Sequence, residues 1–314
     1  MAAVTAAMVK ELREMTGAGM MDCKKALAAT DGNMDAAVDF LREKGLAGAQ
    51  KKAGRIAAEG VVDVCVSDDA KKAVVLEVNA ETDFVAKNET FRNYVAEVAA
   101  QALKTDAVDI DAFLNEKWAL DESLTVAEKL SSMISIIGEN MSIRRFAKVE
   151  ENDGCIVSYI HGGGKIGVLI DLVSDVINDD IKDMAKNIAM QVAALKPLYI
   201  SDKEVEADYL AREREILLAQ IKNDPKEASK PEKVIKGMVE GRIKKELKEI
   251  CLLDQQYVKA ADGKQTVAAY IAEVAKANGA NVFVKKFVIF ETVEGIEKKN
   301  ENFAEEVAKQ MAGN

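Results

Sequence analysis

The chain reads Ala73-Val74-Val75-Leu76-Glu77-Val78 and, shortly afterwards, Thr82-Asp83-Phe84-Val85, where a strand pattern gives way to a helix pattern. The first run is β-branched and predicts a strand. After the second run, apolar residues recur at helical spacing and predict a helix: Phe91, Tyr94, Val95, Val98 and Ala102. A strand, a short turn and a helix therefore hold Asp83 beside Phe84 at a rigid corner. At such a corner, a carboxylate and a neighbouring apolar side chain can insert into the surface of another protein.

The residues alone leave two interpretations of Phe84 open. It lies seven residues before Phe91, in helical phase, and on that ground it is a core anchor. On a loop that follows the strand, it is instead an exposed wedge. The two interpretations differ in one measurable quantity, the exposed fraction of the side chain.

One pattern of strand, turn, strand and helix occurs twice in the chain. The first copy has strand patterns at 60–64 and 73–78 and a helix pattern at 88–103, and the second has strand patterns at 154–159 and 166–171 and a helix pattern at 181–195. The two copies predict an α+β fold with a duplicated core of small antiparallel sheets, each covered on one face by helices. Residues 106–142, between the copies, are predicted to be mostly helical.

Residues 1–54 are predicted to form a three-helix module. Thr5 is the N-cap candidate of its first helix and Asp22 that of its second, and Asp31-Gly32-Asn33 leads into the third. The pattern resembles a ubiquitin-associated-type helical domain.

A helical hairpin is predicted inside the second copy. All three prolines, Pro197, Pro225 and Pro231, mark the borders and the tip of a charged segment. The helix patterns on either side of the tip predict a coiled-coil-like hairpin at about 202–247. A strand pattern follows at 282–292, and the chain ends in a predicted helix. The predicted domains are residues 1–54, 55–143, 144–293 and 294–314.

Composition and charge exclude several classes of function. The 314 residues are 49% hydrophobic and 31% charged, which is ordinary for a soluble protein. Lys and Arg total 43 against 53 Asp and Glu, a formal charge of −10, so we expect no direct binding to nucleic acid. The N-terminus lacks the pattern of a signal peptide, and no run approaches the roughly 20 apolar residues of a membrane span. We therefore expect a cytoplasmic protein without membrane contact.

No metal, cofactor or catalytic site is expected. The four cysteines form no Cys-x-x-Cys pair, which argues against a metal or redox site. With one histidine in the chain, a His-based zinc site cannot be assembled within it. His161-Gly162-Gly163-Gly164 is similar to the oxyanion loop of lipases, but the chain has no Gly-x-Ser-x-Gly nucleophile. The same glycines fail as a phosphate-binding loop, because Ile166 stands where Ser or Thr is needed. A hairpin turn remains the plain interpretation.

Several unrelated motifs together resemble one family. In chain order they are Lys10-Glu11-Leu12-Arg13, the run 16–27, Thr82-Asp83-Phe84-Val85, Ile143-Arg144-Arg145, His161-Gly162-Gly163, Ile166-Gly167-Val168-Leu169 and Glu294-Gly295-Ile296-Glu297-Lys298. In this order, over nearly the whole chain, they resemble the bacterial elongation factor Ts family. The chain departs from that family at Gln255-Gln256-Tyr257, where a Gln-Pro-aromatic turn is more frequent.

The resemblance implies a non-enzymatic guanine-nucleotide exchange factor whose partner is elongation factor Tu, the GTPase that carries aminoacyl-tRNA to the ribosome. Thr82, Asp83, Phe84 and Val85 would contact the GTPase and displace Mg²⁺ near its nucleotide. The factor itself would bind no nucleotide and no metal. Further implied partner contacts are Arg13, Met20, Met21, Lys24, His161, Gly162, Phe303 and Val307. Self-association, as a homodimer or a larger complex, is left open.

Core packing is the alternative for several of these contacts. Met20 and Met21 are adjacent at a helix start, so both cannot face inward and at least one is expected to be exposed. With Arg13 and Lys24 they would form a docking patch for an acidic helix. For Phe303 and Val307 of the predicted C-terminal helix, core packing is likewise the alternative to a partner contact. The second function hypothesis is an adaptor whose N-terminal module binds ubiquitin-like or helical peptide partners, with the hairpin as an oligomerisation arm.

Overall fold

The computed structural model describes residues 4–296. The predicted C-terminal helix, with Phe303 and Val307, lies outside these residues. The chain divides into two compact units, of which the first comprises the described residues of Met1–Val61, Glu77–Arg145 and Glu291–Asn314, and the second Val62–Leu76 and Phe146–Phe290. Helices and small sheets are present throughout, and the predicted α+β class is confirmed.

Three helices open the first unit: α1 (Ala6–Thr16), α2 (Met20–Ala29) and α3 (Met34–Lys52). One small apolar core joins them, and it is made of Val9, Leu12, Cys23, Ala26, Leu27 and Ala37. The predicted three-helix arrangement at the N-terminus is confirmed. The third helix ends at Lys52, and the first strand begins at Glu59.

The N-caps of the first two helices differ in kind. Thr5 caps α1 as predicted, because its hydroxyl accepts a hydrogen bond from the backbone N of Met8 at 3.3 Å. The predicted cap of α2 is wrong, since Gly19 is the N-cap residue and has no side chain to accept a bond. Asp22 lies in the first turn instead, where it pairs with Lys44 of α3. An acid in the first turn is favourable because it meets the positive end of the helix dipole.

The middle of the chain contains the first large sheet. Its elements are β1 (Glu59–Val66), β2 (Lys72–Ala80), α4 (Asp83–Lys87), α5 (Glu89–Lys104), α6 (Ile110–Asn115), β3 (Lys117–Trp118), β4 (Asp121–Thr125), α7 (Val126–Ile137) and β5 (Met141–Glu150). The sheet has the order β1-β2-β5, and β3 pairs antiparallel with β4. The mostly helical prediction for residues 106–142 is wrong in part, because the β3-β4 ribbon lies there. Trp118 of that ribbon is buried against Tyr94, with ring centroids 6.1 Å apart.

The second sheet has the order β6 (Gly154–His161), β7 (Ile166–Ser174) and β8 (Val282–Glu291). Between β7 and β8 lie α8 (Asp179–Leu195), α9 (Ala207–Asn223), α10 (Pro225–Ala228), α11 (Glu232–Ile250) and α12 (Val267–Asn278). Residues of β7 and α8 form most of the core, among them Val168, Ile170, Leu172, Ile181, Met184, Ile188 and Val192. The second copy of the strand, turn, strand and helix pattern is therefore present, whereas α12 was not predicted.

The predicted hairpin is formed by α9 and α11, with α10 at its tip. The two long helices pack through Ile221, Ile235, Val239 and Ile243. An exposed ion pair joins Arg214 Nε to Glu240 Oε1 at 2.8 Å across the same helices. Within residues 4–296, no helix is long and apolar enough to cross a membrane.

Candidate functional site

The tetrapeptide 82–85 lies at the start of α4, immediately after β2. Phe84 is 82% exposed, whereas Phe91 is fully buried. The interpretation of Phe84 as a core anchor is therefore wrong, and Ala86 supplies the buried residue of α4 instead. The motif lies on a helix of 5 residues rather than on a loop. The site is consequently an exposed phenyl ring carried by a short helix.

The side chains of Thr82 and Asp83 have hydrogen-bond partners within the chain. Thr82 is the N-cap of α4, since its Oγ1 accepts a hydrogen bond from the backbone N of Val85 at 3.3 Å. The Thr82 hydroxyl also donates to Glu139 Oε1 at 2.6 Å. Asp83 Oδ2 accepts a bond from Lys87 Nζ at 2.7 Å, yet half of the Asp83 side chain stays exposed. Thr82 therefore shapes the helix, while Phe84 and part of Asp83 face outward.

The N-terminal helices carry the second group of candidate residues. Met20 is 57% exposed and Met21 64% exposed, so core packing is the wrong interpretation for both methionines. Cys23, in the next turn of the same helix, is fully buried. Arg13 of α1 and Lys24 of α2 are exposed as well. This bundle therefore presents two flexible apolar side chains and two cations to the solvent.

The third group lies at the turn between β6 and β7. His161 pairs with Ile166 in the register of the two strands and is exposed. Its Nδ1 lies 3.0 Å from the hydroxyl of Tyr159. Gly162 has φ 59° and is followed by two more glycines with positive φ, a backbone conformation that side chains rarely adopt. The predicted glycine hairpin is therefore present.

The structure places these three groups in different parts of the chain. The residues 82–85 and the N-terminal group belong to the first unit, and His161 and Gly162 belong to the second. Phe303 and Val307 lie outside the described residues. Their grouping on one partner stays a prediction.

A buried ionic cluster surrounds Glu77, which was not among the predicted site residues. A single acid in the apolar strand β2 is a signal for such a cluster. The Glu77 carboxylate has no exposure and lies 3.0 Å from Arg144 Nη1 and 2.7 Å from Arg145 Nε. Burial by itself raises the pKa of Glu77. Hydrogen bonds from Asn79, from the backbone N of Val293 and from Arg145 outweigh burial, so the pKa lies below its usual range.

A buried pair of acids, Glu151 and Asp171, lies in the second unit. Burial, reinforced by the neighbouring Glu151, raises the pKa of Asp171 to about 6. Burial acts on Glu151 in the same direction, but bonds from Lys285 Nζ, at 2.7 Å, and from the backbone N of Asp153 lower its pKa to about 2. Between about pH 2 and pH 6, the two carboxyl groups therefore share one proton. In the described part of the chain, no cluster of three or more His, Cys, Asp or Glu could hold a metal ion.

Comparisons with known proteins agree over nearly the whole chain. A family model described as Elongation factor TS matches residues 81–294, and one described as UBA/TS-N domain matches residues 4–41. A protein of Clostridium novyi (strain NT) named elongation factor Ts is 53% identical over 308 residues, which cover 98% of this chain and 99% of that protein. The elongation factor Ts of Clostridioides difficile (strain 630) is 52% identical over 311 residues, 99% of this chain and 100% of that protein.

Proposed function

This chain belongs to the elongation factor Ts family, and from that premise we propose that it is a guanine-nucleotide exchange factor for elongation factor Tu. It acts by binding a protein partner in the cytoplasm during translation elongation and performs no chemical reaction of its own. It binds the nucleotide-free GTPase more tightly than the GDP-bound form. By linkage, the GTPase then binds GDP more weakly in the complex.

The size of the required effect is modest. A tenfold loss of nucleotide affinity needs about 1.4 kcal/mol of coupling between the two binding events. Burial of one Phe side chain is worth roughly 1.5–3 kcal/mol. A single ring that is buried in the complex with the nucleotide-free GTPase, but not in that with the GDP-bound form, therefore supplies coupling of the right order.

The observation that carries the proposal is the exposure of Phe84. The ring is 82% exposed on a helix whose first turn is capped by Thr82. Because the chain already holds the ring on an ordered helix, little conformational entropy is lost when it enters a partner. We propose that Phe84 inserts between elements of the GTPase near the Mg²⁺-nucleotide site and that Val85 extends this contact.

Asp83 acts on Mg²⁺ indirectly in this proposal. A lone carboxylate competes poorly for an ion that is held by phosphate and protein oxygens, because Mg²⁺ demands octahedral geometry and dehydrates reluctantly. In the free factor the carboxylate is already bonded to Lys87. We infer that Asp83 and Phe84 rearrange the loops of the GTPase and that the ion is lost as a consequence.

Other surfaces hold the GTPase while the ring acts. We propose that residues 1–54 form a docking module, since its exposed methionines and cations suit an acidic helix of the partner. The proposed contacts outside α4 are Arg13, Met20, Met21, Lys24, His161, Gly162, Phe303 and Val307.

The experiment measures release of a fluorescent GDP analogue from elongation factor Tu by stopped flow. Wild-type factor should accelerate release, and Phe84→Ala should reduce the maximal rate by roughly ten- to a hundredfold, the equivalent of the lost burial. Val108→Ala is the matched control, since Val108 is 92% exposed and lies outside the motif. A Phe84→Ala variant that releases GDP at the wild-type rate would show that the ring is not the source of coupling.

The adaptor function is the second candidate, and the UBA/TS-N match at residues 4–41 favours it. It predicts that the N-terminal module binds ubiquitin-like proteins or helical peptides independently of any GTPase. Titration of the full chain with a ubiquitin-like protein tests this directly. In a pull-down from lysate, the exchange function predicts that a GTPase of the elongation factor Tu type dominates the eluate.

A further inference from the structure

Glu139, which follows α7, holds the residues immediately before α4. Its Oε2 accepts hydrogen bonds from the backbone N of Glu81 at 3.1 Å and from that of Thr82 at 3.0 Å. Its Oε1 accepts the hydroxyl proton of Thr82 at 2.6 Å. Bonds to an ionised acceptor are shorter and stronger than neutral ones. One half-buried carboxylate therefore fixes both the backbone and the side chain at the start of the motif.

The hydroxyl of Thr82 passes this constraint on to the helix. Because it donates its only proton to Glu139, its oxygen is left to accept the bond from the backbone N of Val85. Glu139 thereby determines which way the cap of α4 points. The direction in which Phe84 leaves the helix follows from the same cap.

A second bond ties the same two segments together in the opposite direction. Glu81 Oε1 accepts a hydrogen bond from the backbone N of Asn140 at 2.5 Å. The side-chain amide of Asn140 in turn donates to the backbone O of Arg55 at 2.7 Å. Residues 81–82 and 139–140 therefore hold each other reciprocally, as the two partners of a capping box do.

The length of α4 makes this support necessary. The helix has 5 residues, far fewer than the about 12–15 that an isolated helix needs in water. Its geometry must come from contacts outside it. Those at its start are made by Glu139.

We propose that Glu139 is a positioning residue for nucleotide exchange, which it supports through Thr82 without touching the GTPase. This rests on the proposed function of Phe84. Glu139→Ala should lower the maximal rate of GDP release by about tenfold or more, because displacement of a group by about 1 Å can cost a hundredfold in rate. Glu139→Gln should lose less, since its one oxygen can still accept both backbone bonds but can no longer accept the hydroxyl proton.

A matched control separates this role from general loss of structure. Asp175 is also a carboxylate that accepts two bonds from a distant segment, the backbone N and Nδ2 of Asn281, both at 2.8 Å. Asp175→Ala should leave the release rate unchanged. Should Glu139→Ala fail to fold, Thr82→Val is the second test. It removes only the hydroxyl that bonds to both Glu139 and the backbone N of Val85, and it should reduce the rate to the level of Glu139→Gln.

A double-mutant cycle with Phe84→Ala decides the mechanism. If Glu139 acts by positioning the ring, Glu139→Ala should change the rate by less than about twofold in a protein that already lacks the ring. A wild-type rate for Glu139→Ala alone, or a full additional loss in the Phe84→Ala background, would overturn the inference while Phe84→Ala alone stayed slow. A wild-type rate for Phe84→Ala alone would instead remove the proposed wedge, and the role of Glu139 with it.

Discussion

Arg145 Nε lies 2.7 Å from a carboxylate oxygen of Glu77 that no solvent reaches. The bond joins β2 to β5, and the other end of the same guanidinium donates to the backbone O of Glu291 at 3.0 Å. Arg144 Nη1 lies 3.0 Å from the same carboxylate. Glu77 therefore joins β2 to β5, and Arg145 extends the link to the last residue of β8.

The first prediction concerns the stability of this cluster. Arg145→Ala should lower the free energy of unfolding by about 2–4 kcal/mol, because it leaves a buried carboxylate with only part of its compensation. Urea unfolding monitored by circular dichroism measures the loss. Arg214→Ala, which breaks the exposed pair with Glu240, is the control and should cost less than about 1 kcal/mol. Equal losses for the two variants would show that burial of Glu77 does not set the energy.

The second prediction concerns Asp83 and Mg²⁺. If the factor displaces the ion by distorting the GTPase, lowering free Mg²⁺ should accelerate uncatalysed GDP release and shrink the advantage that the factor confers. Asp83→Ala should lose part of that advantage at high Mg²⁺. Release rates against Mg²⁺ concentration for both proteins provide the measurement. If wild type and Asp83→Ala both accelerated GDP release by a factor that did not depend on Mg²⁺, exchange would work through the base or phosphate side of the nucleotide pocket instead.

Local patterns account for the elements that were predicted correctly. The β-branched residues of β2, the glycines at the β6-β7 turn and the cap Thr5 each determine structure through neighbours a few residues away. The exposure of Phe84 could not be settled in this way, because its helical phase with Phe91 is interrupted: α4 ends at Lys87, and Asn88 caps a separate helix that begins at Glu89.

Contacts between distant residues account for what the sequence did not reveal. Glu139 meets Thr82 across 57 positions, and no local pattern marks such a hydrogen bond. The strand β3 has two residues, which is too short to leave a period of its own, and the burial of Trp118 against residues distant in sequence stabilises it. The methionine pair was predicted to be exposed at one residue at least, and Gly19 as the N-cap leaves both Met20 and Met21 on the outside.

The third prediction concerns the shared proton of Glu151 and Asp171. The pKa of Asp171 is raised from 3.8 to about 6, so its contribution to stability is present below pH 3.8 and is lost as the pH rises through 6. The pKa of Glu151 is lowered from 4.5 to about 2, so its contribution is present above pH 4.5 and is lost as the pH falls through 2. Stability from this pair should therefore be greatest near pH 4, between the unfolded values of 3.8 and 4.5.

Asp171→Asn tests the third prediction, since an amide imitates the protonated acid at every pH. The difference in unfolding free energy between the variant and wild type should shift by about 1–2 kcal/mol in favour of the variant as the pH rises from about 5 to 7.5. Thermal unfolding at the two pH values measures the gain. A difference between the proteins that does not change with pH would mean that Asp171 is already ionised at pH 5.

The fourth prediction concerns the proposed boundary after residue 54. Residues 1–54 contact α7 and β4: a Cβ placed on Gly17 would lie 3.2 Å from Ile136 Cδ1 of α7, and Arg42 donates to Ser123 of β4 at 2.8 Å. A cleft of about 510 Å³, lined among others by Trp118, lies beside this contact. Deletion of 1–54 should therefore weaken binding to elongation factor Tu and lower the melting temperature by a few degrees, while unfolding stays cooperative. Circular dichroism on heating checks this, and a remainder that does not fold would make residues 1–54 part of the core.

The dependence of α4 on a distant carboxylate also has a consequence for synthesis. A ribosome adds about 5–20 residues per second, so roughly 3–11 s separate the appearance of Thr82 from that of Glu139, 57 positions later. During that interval the nascent chain carries the residues of the motif without the groups that order them. A newly made molecule can present Phe84 in its final direction only after its own translation has passed Asn140.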